Sequence, residues 1–149
     1  MKRFTSVVTV LLLAALASAC ASTKAPSLQI EGLKFEKLRL GGAGLNVNFR
    51  VRNVNPEDLF IEKFEYEFKV NGHRLGRGYY PEAVRLAGFG DKRIESHFDV
   101  NFLALPGTVK NILDKDRVKA EAKGTFYVRD GGGVKKLKFK SDGDVDLGK

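Results

Sequence analysis

The residues that could do metal chemistry are two histidines and a short acidic run near the C-terminus. His73 and His97 are the only histidines, and the single cysteine is Cys20. A zinc site would therefore need carboxylates among its ligands. The run Asp142-Gly143-Asp144-Val145-Asp146 has the spacing of the first calcium ligands in a loop, but it lacks the required glycine and closing glutamate. We predict no metal site and no cofactor.

Catalytic motifs are no better supported in this sequence than metal sites. The glycine-rich segments 41–44 and 130–133 are not followed by a helix with Lys-Ser or Lys-Thr, so they are turns and not phosphate-binding loops. No nucleophile-elbow motif occurs in the chain. We predict that the protein is not an enzyme.

Cys20 follows a segment with the pattern of a secretory signal. Lys2 and Arg3 precede an apolar run over residues 7–16, and small residues lead to the cysteine. The apolar run is shorter than the roughly 20 residues that span a bilayer. A membrane-anchoring helix is the alternative interpretation of this segment.

The segment Leu16-Ala17-Ser18-Ala19-Cys20 is similar to a bacterial lipobox. That resemblance implies cleavage of residues 1–19 and a diacylglycerol on the Cys20 sulfur. Residues 21–27 are small and polar, so residues 20–27 are predicted to be the lipidated cysteine and a flexible tether. Cleavage near Ala19 with a free thiol is the alternative. Residue 21 is alanine and not aspartate. In enteric-type lipoproteins this resembles an outer-membrane address, and the resemblance implies a domain on the periplasmic face of that membrane.

The charge of the mature chain is moderately basic. Loss of Lys2 and Arg3 lowers the formal net charge from +8 to +6. This excess suits either a protein near anionic headgroups or simple solubility. No nucleic-acid motif accompanies the charge, so we predict no nucleic-acid partner.

Apolar and polar residues alternate along most of the chain, as in strands with one buried face. The alternating segments are 33–40, 45–51, 64–70, 94–102, 118–128, 134–139 and 145–147. Asn71-Gly72 predicts a hairpin turn because both residues tolerate positive φ. Residues 105–115 have helical spacing, with Pro106 in the first turn.

About seven strands and one short helix, without a βαβ rhythm, predict an antiparallel two-sheet β-sandwich over residues 28–149. Two facing sheets would bury seven phenylalanines, each worth roughly 1.5–3 kcal/mol. They are Phe35, Phe49, Phe64, Phe68, Phe98, Phe126 and Phe139.

The segment Asn53-Val54-Asn55-Pro56 interrupts this alternation. Pro56 cannot donate to a strand ladder, and it pushes Asn55 out of the helical region. Asparagine side chains bind nearby backbone groups and stabilise turns. The segment is therefore predicted to be a sharp corner between two strands.

The corner, together with Val70-Asn71-Gly72 and Leu75-Gly76-Arg77-Gly78, resembles the LEA type 2 family, also called LEA14-like or WHy-domain proteins. The resemblance covers about residues 28–147. It implies a fibronectin III- or Ig-like sandwich with one helix and an association with desiccation and other water stress. The family carries no established catalytic residues.

Two groups of exposed residues are candidate contact sites. Lys136, Lys138 and Lys140 share one strand face, where they could meet anionic lipid, roughly 1 kcal/mol per lysine. Protection of an edge strand from aggregation is the alternative role. Arg77, Tyr79 and Tyr80 have the composition of a protein-contact patch, and core packing of one tyrosine is the alternative.

These features predict a non-catalytic, lipid-anchored LEA type 2 protein of the cell envelope. We expect a monomeric domain that contacts membranes or envelope proteins. The first alternative is an adaptor that binds another envelope protein through residues 76–81 or 87–92. The second is a domain that holds an apolar ligand, such as a lipid, between its sheets.

Overall fold

The structure is a computed structural model that describes residues 22–104 and 107–148. Within these ranges the chain forms eight strands, one 3-10 turn and one short α-helix. In chain order they are β1 (Ser27–Arg39), β2 (Gly42–Arg52), β3 (Leu59–Val70), β4 (His73–Tyr80), β5 (Val84–Leu86), β6 (Asp91–Asn101), a 3-10 turn (Phe102–Ala104), α1 (Thr108–Leu113), β7 (Arg117–Asp130) and β8 (Gly133–Gly148). The predicted signal segment, Cys20 and Pro106 lie outside the described residues.

The all-β prediction is confirmed. The strands do not, however, form the two separate facing sheets of the predicted β-sandwich. They form one hydrogen-bonded sheet in the order β4-β3-β7-β8-β1-β2-β6, with β5 beside β3. Neighbours are antiparallel except β1 and β8, which run parallel where residues 32–34 meet residues 146–148. This short seam joins two antiparallel blocks into one curled sheet.

The curled sheet is almost closed. At its two ends β4 lies against β6, where a Cβ on Gly76 would lie 3.0 Å from the ring of Phe98. The resulting shape is barrel-like. Alternation could predict which side chains point inward but not that β1 would hydrogen-bond to β8.

Aromatic rings from both blocks fill the interior. Phe49 of β2 contacts Phe64 and Tyr66 of β3 edge-on, with ring centroids 6.0 and 5.1 Å apart. Six of the seven predicted core phenylalanines are buried, and Phe35 is half-buried against Phe102. The rings pack in the tilted and edge-on geometries that aromatic pairs favour.

The turn between β3 and β4 lies at Asn71 and Gly72, whose φ angles are 49° and 80°. Asn71 also donates its backbone N–H to the carbonyl of Lys119 and accepts from the Lys119 N–H through its side chain. The turn is thus held against the start of β7.

The helical prediction over residues 105–115 corresponds to a shorter element, α1. Ile112 of this helix is buried in the core. No helix in the described part of the chain has the length and apolarity needed to cross a membrane.

Candidate contact surface

The Asn53–Pro56 corner is built around one fully buried amide. The side chain of Asn53 donates to the carbonyls of Glu57 at 2.7 Å and Ala87 at 3.1 Å. Its oxygen accepts from the backbone and side-chain nitrogens of Asn55 at 2.9 and 3.0 Å. Each polar atom of this buried side chain is therefore satisfied.

Asn55 joins the corner to the segment that precedes the domain. Its side chain accepts from the Lys24 N–H at 2.8 Å and donates to the Lys24 carbonyl at 2.9 Å. The neighbouring Thr23 donates to Asp130 at 3.4 Å. Residues 23 and 24, which the sequence assigned to the tether, thus contact the domain.

Pro56 contacts the loop that joins β5 to β6. A Cβ on Gly88 would lie 1.8 Å from the Pro56 carbonyl oxygen, so only glycine fits beside it. The side chains of Asn53 and Asn55 and the backbone of Pro56 therefore form a structural junction.

The two predicted contact groups lie on the same surface. Arg77 and Tyr79 point outward from β4, and Lys136, Lys138 and Lys140 point outward from β8. Strands β3 and β7 lie between them. We call the outward side chains of β4, β3, β7 and β8 the lateral face.

Cross-strand register arranges the lateral face in rows. One row runs Arg77, Glu67, Lys123 and Lys140, the next Tyr79, Glu65, Thr125 and Lys138, and a third Lys63, Tyr127 and Lys136. Residues distant in sequence therefore become neighbours through strand pairing.

A shallow groove of about 530 Å³ crosses the first two of these rows. Its walls include Arg77, Tyr79, Lys123 and Lys138. Its floor includes Gly124, where a Cβ would lie 2.0 Å from the Glu65 carbonyl oxygen. The glycine is required because the strands and the ring of Phe139 approach so closely there.

The acidic groups of the groove already have partners. Glu65 accepts from the Tyr127 hydroxyl at 2.6 Å, and this bond raises the pKa of Tyr127. Glu67 pairs with Arg74 at 3.0 Å and Lys69 at 3.8 Å. Within the described residues no ion pair involves the cations of the rows, which are Lys63, Arg77, Lys123, Lys136, Lys138 and Lys140. The groove therefore offers positive charge to an acidic partner.

Aromatic rings lie beside these cations. The Lys63 ammonium is 4.8 Å from the ring centroid of Tyr127 and 5.9 Å from that of Tyr79. Lys136 lies 5.6 Å from the Tyr127 centroid. Sequence reasoning missed Lys63 and Tyr127. The outward parity of Tyr127 was visible in the alternation, but its neighbours depend on long-range pairing.

Tyr80 does not belong to this surface. Its ring stacks on Phe64 at 5.2 Å between centroids, and its hydroxyl donates to Glu82 at 3.1 Å. Tyr79, by contrast, is 52% exposed. Residues 76–81 were predicted to form a contact loop, but residues 76–80 belong to strand β4. The sequence did not indicate this strand, because Gly76 and Gly78 interrupt the alternation of apolar and polar residues.

The lysines of β8 also fit their alternative role. Strand β8 pairs with β7 along its length, but among the described residues its other edge pairs with β1 only at residues 146–148. Lys136, Lys138 and Lys140 therefore lie on a strand with one uncovered edge. Charged side chains there discourage pairing with another chain.

The histidines and C-terminal aspartates are dispersed. His97 Nδ1 lies 2.6 Å from Asn46 Oδ1, and Asp146 pairs with Arg117 at 3.1 Å. His73 begins β4 and is exposed. Residues 22–104 and 107–148 contain no cluster of three or more His, Cys, Asp or Glu side chains suited to a metal ion.

A family model described as late embryogenesis abundant protein, LEA_2, matches residues 48–143. The fold is similar to the solution structure of an Arabidopsis thaliana protein, with a TM-score of 0.66 and 14% identity over 88% of this chain and 87% of that one. A solution structure described as a candidate late embryogenesis abundant protein has a TM-score of 0.50 and 17% identity, over 96% and 84%. Curated protein sequences give no match.

The two structural likenesses show a shared fold. The family match extends over more than half of the chain and contains the corner, the hairpin turn and the lateral face. It confirms the resemblance that the sequence motifs indicated. The chain belongs to the LEA_2 family of late embryogenesis abundant proteins.

Proposed function

We propose that this LEA_2 protein is a non-catalytic component of a bacterial cell envelope. A lipid on Cys20 anchors it to the outer membrane, with the domain facing the periplasm. It serves in the response to water stress by contacting acidic surfaces of other proteins through the lateral face. The lipobox-like segment supports the anchor, and the family supports the link with water stress.

The observation that carries the proposal is that residues of β4 and β8, which are distant in sequence, lie on one surface. Arg77 and Tyr79 share rows with Lys138 and Lys140, and the carboxylates between them are already bonded. Cations that lack an ion pair among the described residues suit an acidic protein surface, because opposite charges on two surfaces favour their association. Aromatic residues and arginine, such as Tyr79 and Arg77, are also enriched in protein contacts.

An adaptor with one dedicated envelope partner is the second candidate. The groove between Tyr79 and Lys138 favours it, since a shaped groove can select one acidic segment. Charge alone would suffice for general shielding of many proteins during drying. Tyr79→Ser separates the two, because it should weaken only dedicated binding. The apolar-ligand candidate has no such support, since aromatic rings fill the interior.

The anchor is tested in a bacterial host that processes lipoproteins. Radiolabelled palmitate should enter the wild-type chain and not Cys20→Ala, and only the wild type should fractionate with the outer membrane. Labelling of both proteins, or of neither, would refute the anchor.

The contact function is tested by drying a labile enzyme with residues 21–149. The wild-type domain should protect better than an equal mass of an unrelated basic β-sandwich domain. Lys136→Glu with Lys138→Glu should reduce protection to the level of that reference. The matched control, Lys34→Glu with Lys115→Glu, makes the same charge change at exposed positions off the lateral face. Equal loss in both pairs would contradict a role for this face.

A further inference from the structure

The loop between β5 and β6 displays an exposed aromatic ring on an unusual backbone. Phe89 has a φ of 56° and is 60% exposed. Bulky residues rarely adopt positive φ, where glycine or asparagine fits better. An exposed ring adds little to the core, so core packing does not explain this phenylalanine.

The buried corner fixes this conformation. The Phe89 N–H donates to the Asn55 carbonyl at 3.0 Å, and the Gly90 N–H donates to the Ala87 carbonyl at 2.8 Å. The side chain of Asn53 binds the Ala87 carbonyl as well. Val54, between the two asparagines, is 36% exposed. The corner thus displays two apolar side chains, Phe89 and Val54, at one end of the molecule, which we call the base.

The chain leading to Cys20 leaves from this base, since Lys24 is bonded to Asn55 in both directions. Three residues separate Lys24 from Cys20. The four peptide steps between them can span at most about 14 Å when fully extended. A lipid on Cys20 would therefore hold the base close to the headgroups of the same membrane.

The charges at the base favour an anionic membrane. Lys24, Arg52 and Lys92 are exposed there. Asp58 is paired with Arg85 at 2.6 Å, Asp91 with Arg50 at 3.9 Å, and Asp130 with Lys135. Glu57 is exposed there without an ion pair among the described residues, so it offsets one of the three cations. The hydrogen bond from Arg85 also lowers the pKa of Asp58 below its ordinary value.

We propose that the base docks on the anionic phospholipid surface to which Cys20 is anchored, with Phe89 and Val54 inserted at headgroup depth. Aromatic side chains favour this interfacial layer, and nearby basic residues add attraction to anionic lipid. The strands then rise from the bilayer, and the lateral face remains accessible to proteins. This inference rests on the lipid anchor of the proposed function.

The test uses the lipidated full chain in vesicles of phosphatidylethanolamine and phosphatidylglycerol. An environment-sensitive fluorophore is attached to Ala87→Cys, on the loop of Phe89, or to Leu40→Cys, an exposed position far from the base. We expect nitroxide lipids to quench only the label at position 87 and aqueous iodide to quench chiefly the label at position 40.

Phe89→Asn is the decisive variant, because asparagine accepts the positive φ and should preserve folding. In this variant the label at position 87 should lose its lipid quenching and become several-fold more accessible to iodide. Leu40→Asn is the matched control. With the fluorophore at position 87, it should change neither the quenching by nitroxide lipids nor the quenching by iodide.

The outcomes separate the two proposals. Flotation of the protein with vesicles, together with an iodide-accessible label at position 87, would overturn docking of the base and leave the anchor in place. Failure of the wild-type chain to float would overturn the anchor and the docking with it. Unchanged quenching in Phe89→Asn would overturn the role of Phe89.

Discussion

The base and the lateral face use polar residues in opposite ways. At the base, Asn53 and Asn55 are buried, and their side chains bind backbone groups from three segments. On the lateral face, Arg77 and Lys138 are exposed and lack ion pairs within the described residues. The first arrangement fixes the backbone, whereas the second leaves charge available. Substitutions at the base should therefore affect stability first, and those on the lateral face should affect binding first.

The largest expected effect is that of Asn53→Ala. It removes hydrogen bonds to the carbonyls of Glu57 and Ala87 and leaves the Asn55 N–H without its partner. Unsatisfied buried groups are costly, so the free energy of unfolding should fall by about 3 kcal/mol. Urea unfolding followed by circular dichroism measures this change. Asn48→Ala, at an exposed position of β2, is the control and should change stability little.

Gly124→Ala should have the next largest effect on stability. It tests whether the backbone of the lateral face, unlike its exposed side chains, tolerates substitution. The added Cβ would meet the Glu65 carbonyl and the Phe139 ring at 2.0 and 2.8 Å, so the strands must shift. We expect a loss of about 2 kcal/mol in unfolding free energy. Gly143→Ala, on neighbouring β8 with open space at its Cβ, should be neutral. Urea unfolding measures both variants. If Gly124→Ala is as stable as Gly143→Ala, the lateral face tolerates changes in its backbone as well as in its side chains.

Tyr66→Phe should have a smaller effect that depends on pH. The buried Tyr66 hydroxyl donates to Ser96 at 2.8 Å, and its loss should cost about 1 kcal/mol at neutral pH. Burial raises the pKa of Tyr66 to about 12, above its ordinary value of 10.0. The unfolded chain therefore loses this proton first, and the stability that it contributes is present below pH 10 and lost as the pH rises toward 12.

Thermal unfolding between pH 8 and about 12 should therefore have a shallower alkaline decline in Tyr66→Phe than in the wild type. Tyr79→Phe is the control, since its ring is half exposed. An unchanged alkaline slope in Tyr66→Phe would show that other groups dominate the alkaline unfolding.

Local pattern was enough to predict much of the fold. Alternation correctly placed Phe64 and Phe68 inside and Lys138 outside, because side-chain direction in a strand depends only on parity. The turn at Asn71-Gly72 follows equally from local backbone preference. Neither parity nor local backbone preference determines which distant strands pair with each other. The β1–β8 seam and the row that joins Tyr79 to Lys138 therefore became visible only in the structure.

The base shows a different limit of sequence reasoning. In the segment Ala87-Gly88-Phe89-Gly90, a glycine would be expected to take the positive φ. Gly88 is instead required by its contact with Pro56, and the left-handed residue is Phe89. Local preference failed here because a hydrogen bond to Asn55, from another loop, decides the backbone conformation.

The smallest expected stability effect belongs to the lysines of β8, and it separates their two roles. Replacing Lys136, Lys138 and Lys140 by glutamate keeps charge on the uncovered edge, whereas replacing them by threonine removes it. Both triple variants should unfold within about 0.5 kcal/mol of the wild type, because these side chains are exposed. Light scattering should detect self-association only in the threonine variant if charge protects the edge.

The glutamate variant should stay monomeric and lose protection in the drying assay, since it presents the wrong sign to an acidic partner. The threonine variant should also lose protection. It lacks the positive charge that attracts an acidic partner, and it self-associates. A glutamate variant that remains fully protective would assign these lysines to edge protection alone. The contact function would then rest on Arg77 and Tyr79, at the other side of the same groove.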